Sequence, residues 1–299
     1  MSSENYVNNR EVNGKLMRRA TYAAVAVGIL LATIKFIAYL LTGSVSLLSS
    51  LIDSMLDIVA STINLFAVKH SLEPADEEHQ FGHGKIESIA GLAQAAFIAG
   101  SAVFLVFAAI KRLLSPSPIS YGNVGIGIMI VSIFITLSLV KYQKYVVKKT
   151  GSVAISADSL HYVSDLLMYL CVIIAIVMSS YFDINAADPL IAIGIAAFIL
   201  YSARLIAIQS LAQLMDRELP DEDREKIMQI ALSHEEVKNV HGFRTRASGP
   251  DIFIQLHLEM DGNMVLQKAH DIADDVEMKI CKAFPNADVI IHEDPEDDR

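Results

Sequence analysis

The sequence predicts a membrane-embedded all-α bundle of six helices followed by a small α+β domain, and three observations carry that prediction. Six apolar stretches are each long enough to cross a hydrocarbon core about 30 Å thick. Their connections alternate between poor in Lys and Arg and lysine-bearing. Only the stretch after residue 209 mixes strand-like and helix-like periodicity with a large excess of acid.

The 299 residues are 53% hydrophobic with no tryptophan, and the mean hydropathy is +0.42. That balance is too apolar for a soluble domain and too charged at one end for membrane alone, so two parts are expected: residues 1–209 in the bilayer and residues 210–299 as a soluble domain. The net charge of −10 is unevenly held. The first part has 14 Lys and Arg against 13 Asp and Glu, the second 10 against 21. An acidic C-terminal part repels nucleic acid, which is not an expected partner, and attracts cations, although an acidic tail is as often plain solvated surface. Two cysteines without Cys-x-x-Cys spacing predict neither disulfides nor a thiolate metal site. No repeat of 20 to 50 residues is visible.

The first apolar run, Ala20–Leu41, follows Arg10, Lys15, Arg18 and Arg19 but has no small-residue cleavage site, so it reads as a retained helix and not a signal peptide. The remaining spans are Ser46–Val68, Ser88–Ile110, Val124–Val147, Val153–Met178 and Pro189–Ala207. Thr42–Val45 and Asp183–Asn185 are tiny connections, whereas Lys69–Glu87 carries Lys69 and Lys85, and Lys141–Lys149 carries Lys141, Lys144, Lys148 and Lys149. These lysines and the N-terminal cluster share one side, against only Lys111 and Arg112 on the other, so the positive-inside rule, which counts Lys and Arg, places both termini in the cytoplasm.

Beyond the spans, the pattern predicts a helix over Asp221–Ser233, strands over Val237–Arg246 and Ile252–Met260, a helix over Val265–Ala283 and a strand over Asp288–His292. In the second strand Ile252, Ile254, Leu256 and Leu258 share one face, which turns His257 and Glu259 to the other.

Four ionisable residues interrupt the apolar spans: Asp53 and Asp57 in the second, His161 and Asp165 in the fifth. A carboxylate at mid-bilayer costs about 2.5 to 3.5 kcal/mol on insertion scales, so such groups mark a polar or metal-occupied cavity. Residues four apart on a helix differ by about 40° in azimuth and about 6 Å in height, which makes each pair a two-donor clamp. At 1.5 Å per residue the clamps fall at roughly 16 to 22 Å and 12 to 18 Å from the cytoplasmic ends of their helices, so the depths overlap.

Three carboxylates and one imidazole suit a four-coordinate divalent ion such as Zn²⁺; they do not suit Cu(I), and they do not separate Zn²⁺ from Cd²⁺ or Fe²⁺. A helix-to-helix hydrogen-bond lock and a bare proton relay are the alternatives. Lys35 is expected to snorkel to the outer interface and ligate nothing. Asn64 and Gln94 are expected to be packing contacts. Lys85 and Asp216 lie at one membrane edge, where they can pair. No Gly-x4-Gly-Lys-Ser/Thr loop supports an ATP-driven pump.

The stretches Gly43–Asp57, Phe81–Ser88, Ala157–Asp165 and Asp288–Asp294 resemble the cation diffusion facilitator family, most of all its bacterial zinc and ferrous-iron efflux branch. The resemblance covers nearly the whole chain. It implies no enzyme but a proton-coupled antiporter of a bacterial inner membrane, a homodimer with a metallochaperone-like cytoplasmic α-β-β-α-β domain, exporting Zn²⁺ or its relatives Cd²⁺ and Fe²⁺. It maps the transport site onto Asp53, Asp57, His161 and Asp165, with His161 favouring zinc over manganese; because zinc requires the neutral ring, His161 is also the expected chief proton carrier.

It further maps a loop site onto Asp76, His79 and His83, and cytoplasmic zinc sites onto His241, His257, His270, His292 and Asp294. Glu293 stands where close relatives can carry glutamine. By spacing alone, the loop reads equally as solvated surface and the histidines equally as surface hydrogen-bonding groups. His70 and His234 match no site. A cation channel and a membrane-bound metal sensor are the rival classes.

Overall fold

The computed structural model describes residues 2–43, 45–114, 123–182 and 187–296. The short connection expected at Asp183–Asn185 lies outside them, as does Ser44 in the first. The chain runs as six long helices, α1 (Ser2–Thr42), α2 (Val45–Ser71), α3 (Lys85–Leu114), α4 (Asn123–Thr150), α5 (Val153–Phe182) and α6 (Ala187–Leu214). It continues through α7 (Asp221–Leu232), β1 (Asn239–Ser248), β2 (Asp251–Met260), α8 (Leu266–Ala283) and β3 (Ala287–Pro295). The α-β-β-α-β order and all six apolar spans are those expected. α1 is longer than its apolar run, the basic N-terminal stretch continuing the same helix, and α6 passes through residues 209 and 210 to Leu214.

The bundle is greasy on its outside. Phe66, Phe104, Phe107 and Phe134 are 65 to 76% exposed, a surface that only lipid or another chain can cover. Inside, small residues let helices approach closely: α3 lies along α6 through Ile98, Ala102, Ala196, Ile199 and Ala203. A second cluster joins α1, α2, α4 and α5 through Met17, Ala20, Val68, Val146, Ala154 and Ile155.

In the C-terminal domain β2 is the central strand, antiparallel to β1 and parallel to β3. Its aliphatic face, Ile254, Leu256 and Leu258, packs against Ile227 of α7 and Ile272, Val276 and Ile280 of α8. Asp221, Glu222 and Asp223 occupy the first turn of α7, where carboxylates favour the positive end of the helix dipole. The opposite sheet face carries His257, as the period-two pattern predicts.

The two parts meet at the α2–α3 loop. A Cβ on Gly84 would stand 2.2 Å from the Ser248 carbonyl oxygen, so only glycine permits this approach. Phe81 meets Phe253 edge-on at 5.6 Å, and the Arg246 guanidinium lies over both rings. Arg246 also reaches Asp216 at 3.3 Å, and Lys85 reaches Asp216 at 2.9 Å, the pairing expected at that edge. Asp216 itself ends α6 with φ +53. The Arg217 amide donates to the Ala212 carbonyl and the Asp216 amide to that of Gln213, closing the helix as a Schellman motif with aspartate where glycine is usual.

Candidate metal centres

The helical spacing of the two clamps places Asp57 toward His161. His161 Nε2 lies 2.9 Å from Asp57 Oδ1 and 3.9 Å from Asp165 Oδ2, and one donor atom from each of the three falls within 4.8 Å of the others. Asp53 lines the same cavity of about 810 Å³, one turn from Asp57, but stands outside that trio and is exposed. The structure therefore assembles three of the four expected donors. The fourth, Asp53, is one helix turn along α2 from Asp57 in the same cavity.

Lys35 departs from its expected place. It is 2% exposed and does not snorkel: its ammonium donates to Ser54 Oγ at 2.6 Å, to Tyr169 OH at 3.1 Å and to the Ser50 carbonyl at 3.2 Å. The physical reason is that these acceptors, with the acidic cavity beside them, satisfy a buried cation better than a lipid-facing path would. Lys35 lines the cavity without being a possible metal ligand, since an ammonium has no lone pair to offer. Asn64 and Gln94 are buried, as packing contacts are.

A polar network not anticipated from the sequence lies toward the N-terminal end of α5 from the trio. The Asp158 carboxylate accepts from Gln143 Nε2 at 2.7 Å and from Ser61 Oγ at 3.2 Å. Tyr162 OH lies 3.0 Å from Ser61 Oγ and donates to the Ala24 carbonyl at 3.0 Å. Three helices, α1, α2 and α4, are thus stitched to the α5 segment that carries His161. Asp158 sits three residues before His161 in an apolar span, and that position was its only signal.

The α5 N-terminus is fixed as well. Ser152 Oγ accepts the Ile155 amide at 3.2 Å, and the buried Glu87 of α3 accepts the Ala154 amide at 3.3 Å. The first-turn donors, which have no intrahelical partner, are satisfied there.

In the α2–α3 loop, Asp76 Oδ1 accepts the amides of Glu78 at 3.0 Å and His79 at 2.6 Å, an Asx turn that holds the carboxylate in place. The His79 amide bond is the main reason the Asp76 carboxyl stays below the usual carboxylate range. Asp76, His79 and His83 bring one donor atom each within 4.8 Å. His83 is buried, and among the described residues its Nδ1 has no hydrogen-bond partner.

On the sheet, register alone aligns His241 with His257 and His257 with His292. Asp294 reaches all three: 2.8 Å to His257 Nδ1, 3.1 Å to His292 Nε2 and 3.2 Å to His241 Nε2. Its hydrogen bond with His257 is the leading cause of a lowered carboxyl pKa. Gly242, at φ +57, supplies the bulge that lets His241 turn in, and any Cβ there would stand 2.6 Å from the His257 ring. His270 is apart: it lies 3.7 Å from Asp274 and 3.9 Å from Glu293 on α8's exposed flank. Of the five expected donors, His241, His257 and Asp294 bring one donor atom each within 4.8 Å of one another, and His292 reaches this trio through its contact with Asp294.

The fold and these clusters define a polytopic membrane protein whose polar interior is built of cation-grade donors. Residues 21–215 match the cation efflux transmembrane domain, and residues 219–296 match the cytoplasmic domain of cation efflux proteins. The chain belongs to this family, the cation diffusion facilitators, which are membrane transporters and not a class of enzyme. It is 48% identical over 282 residues, 94% of each chain, to the cation-efflux pump FieF of Salmonella paratyphi A and to that of Klebsiella pneumoniae (strain 342). A solved chain of CzrB in its Zn form is 33% identical, covering 28% of this chain and 97% of its own, with a TM-score of 0.26.

Proposed function

We propose that this protein exports divalent transition-metal cations, Zn²⁺ foremost with Cd²⁺ and Fe²⁺ as related cargo, from the cytoplasm in exchange for protons. The observation that supports this most is the convergence of Asp57, His161 and Asp165 in a mid-span cavity that also holds Asp53. Nitrogen and carboxylate donors in this number suit Zn²⁺. Zinc takes the neutral imidazole and ionised carboxylates, so loading displaces protons, and protons arriving from the far side displace the metal. Competition for one set of donors is then the coupling, with His161 as its chief proton carrier. Alternating access exposes that set to either side in turn.

In this reading the protein sits in a bacterial inner membrane with both termini in the cytoplasm, and two copies form a dimer. Asp76, His79 and His83 form a loop site, and His241, His257, His292 and Asp294 a site on the sheet, where the nitrogen and carboxylate donor types suit a zinc ion. His270, remote from that cluster in one chain, is left for metal shared with a second copy. Bound metal there offsets the mutual repulsion of two acidic domains.

The deciding experiment is reconstitution in sealed vesicles, with Zn²⁺ flux followed under an imposed pH difference. Antiport gives flux that follows the gradient and carries protons the other way. Flux that ignores the gradient identifies a channel, and absence of flux with intact metal binding identifies a sensor; either sinks the proposal.

A further inference from the structure

We infer that His70 is a fourth metal-donating residue of the loop site, closing the coordination shell that Asp76, His79 and His83 leave open. The inference rests on the loop-site reading above and adds to it a residue from outside the loop, in the last turn of α2.

Three observations carry it. The His70 ring packs on the buried His83 ring at 4.7 Å between centroids, as close as the His79 ring does from the other direction at 4.5 Å. Two imidazoles therefore flank that of His83, whose Nδ1 has no hydrogen-bond partner among the described residues. Second, His70 Nδ1 lies 2.6 Å from Glu73 Oε2. A histidine that gives its Nδ1 proton to a carboxylate keeps its lone pair on Nε2, which is the tautomer and the outer partner that metal-bound histidines characteristically have. Third, His70 stands outside the trio whose donor atoms lie within 4.8 Å of one another, but its side chain is half exposed, which leaves its ring room to turn toward them.

A basic residue in the last turn of a helix, paired with a nearby carboxylate, also stabilises the helix end. That explains the contact with Glu73 but not the placement of the ring against a buried histidine with an unpartnered nitrogen.

The consequence is chemical. Three protein donors around Zn²⁺ leave a position for water or an exchanging ligand, whereas four close the tetrahedron and hold the ion. With His70 engaged, the loop site retains its ion and ties the end of α2 to the segment that packs under Ser248.

The test uses the full-length protein in detergent, with Asp165→Asn and His257→Gln weakening the other two sites, and Zn²⁺ as the probe. Affinity is measured by competition with a chelating indicator, and the number of imidazoles on zinc by X-ray absorption. His83→Ala identifies the loop equivalent. Against it, His70→Gln and His70→Phe are both expected to weaken the loop equivalent by about tenfold or more and to lower its imidazole count from three to two. His70→Phe keeps a ring against His83, so retained affinity in that variant would assign packing and overturn the inference, as would an unchanged count in His70→Gln. If His83→Ala removes no zinc at all, the loop-site reading fails and the inference with it.

Discussion

The imidazole of His161 and the carboxylate of Asp57 lie 2.9 Å apart, joining α5 to α2 inside the bundle. Two groups that are costly apart in lipid satisfy each other there, and the same two atoms are the natural donors to a cation that enters between them. In the proposed function, loading a metal would break this pair, so the pair would compete with cargo for the same donors.

Loss of one donor should be seen in transport before it is seen in folding. Asp165 lines the cavity rather than the helix–helix seams, so Asp165→Ala is expected to cut Zn²⁺ flux by about a hundredfold or more, with the helical circular dichroism and thermal midpoint preserved. Retained flux in vesicles would remove Asp165 from the site.

Replacing nitrogen by oxygen should move selectivity. His161→Asp makes the donor set all-carboxylate, which favours Mn²⁺ over Zn²⁺. Titration calorimetry with Zn²⁺, Cd²⁺, Fe²⁺ and Mn²⁺ in turn is expected to show Zn²⁺ weakened by about tenfold, or about 1.4 kcal/mol, with Mn²⁺ spared or improved.

Gly84 and Ser248 make a backbone contact that admits no side chain. Gly84→Ala should force the α2–α3 loop off β1 at a cost of about 1 to 3 kcal/mol. Limited proteolysis and hydrogen exchange at residues 76–86 are the measurements, and an unaltered exchange pattern would show that the loop can shift freely.

The junction should also loosen in acid. Burial alone would raise the Asp216 carboxyl, but hydrogen bonds from Lys85 and Arg246 outweigh it and hold the group below its ordinary value. A depressed carboxyl contributes stability that is full above the unfolded value near 4 and is lost as pH falls through the lower folded one. Exchange of the loop amides is expected to be steady from neutrality down to about pH 4 and to rise below it. In Asp216→Asn the loop should exchange faster at neutral pH, with the acid step reduced to the part that Asp76, also held below the usual carboxylate range, contributes.

Metal removal should be read by the C-terminal domain. Chelation is expected to weaken association of two chains, and His241→Ala with His292→Ala should make association insensitive to Zn²⁺. Sedimentation measures both, and equal association of the wild-type chain with and without Zn²⁺ would end the dimer-bridging idea.

Legibility differed from residue to residue for identifiable reasons. Asp57, His161 and Asp165 were readable because two helical periods, each local, turn their carriers to one face. Asp53 shares that face with Asp57 by azimuth, yet its distance from the trio depends on how α2 slides against α5, which no local pattern encodes. Lys35 was misread because snorkelling is decided by depth and neighbours, and Ser54 and Tyr169 are neighbours only in the folded bundle. His70 was set aside because nothing in the spacing shows that the end of α2 returns to His83.

By itself, the sequence determined the six spans, the order of the C-terminal elements, the face on which His257 lies and the residue types available for a cation. Each follows from periodicity and from the cost of charge in lipid, which act over a few residues at a time. Only the tertiary structure decided which donors meet: the trio without Asp53, the sheet cluster without His270, the His70 ring against His83, and the Gly84–Ser248 contact beneath the loop. Those meetings depend on helix offset, strand register and loop path, and they are settled by packing over the whole chain.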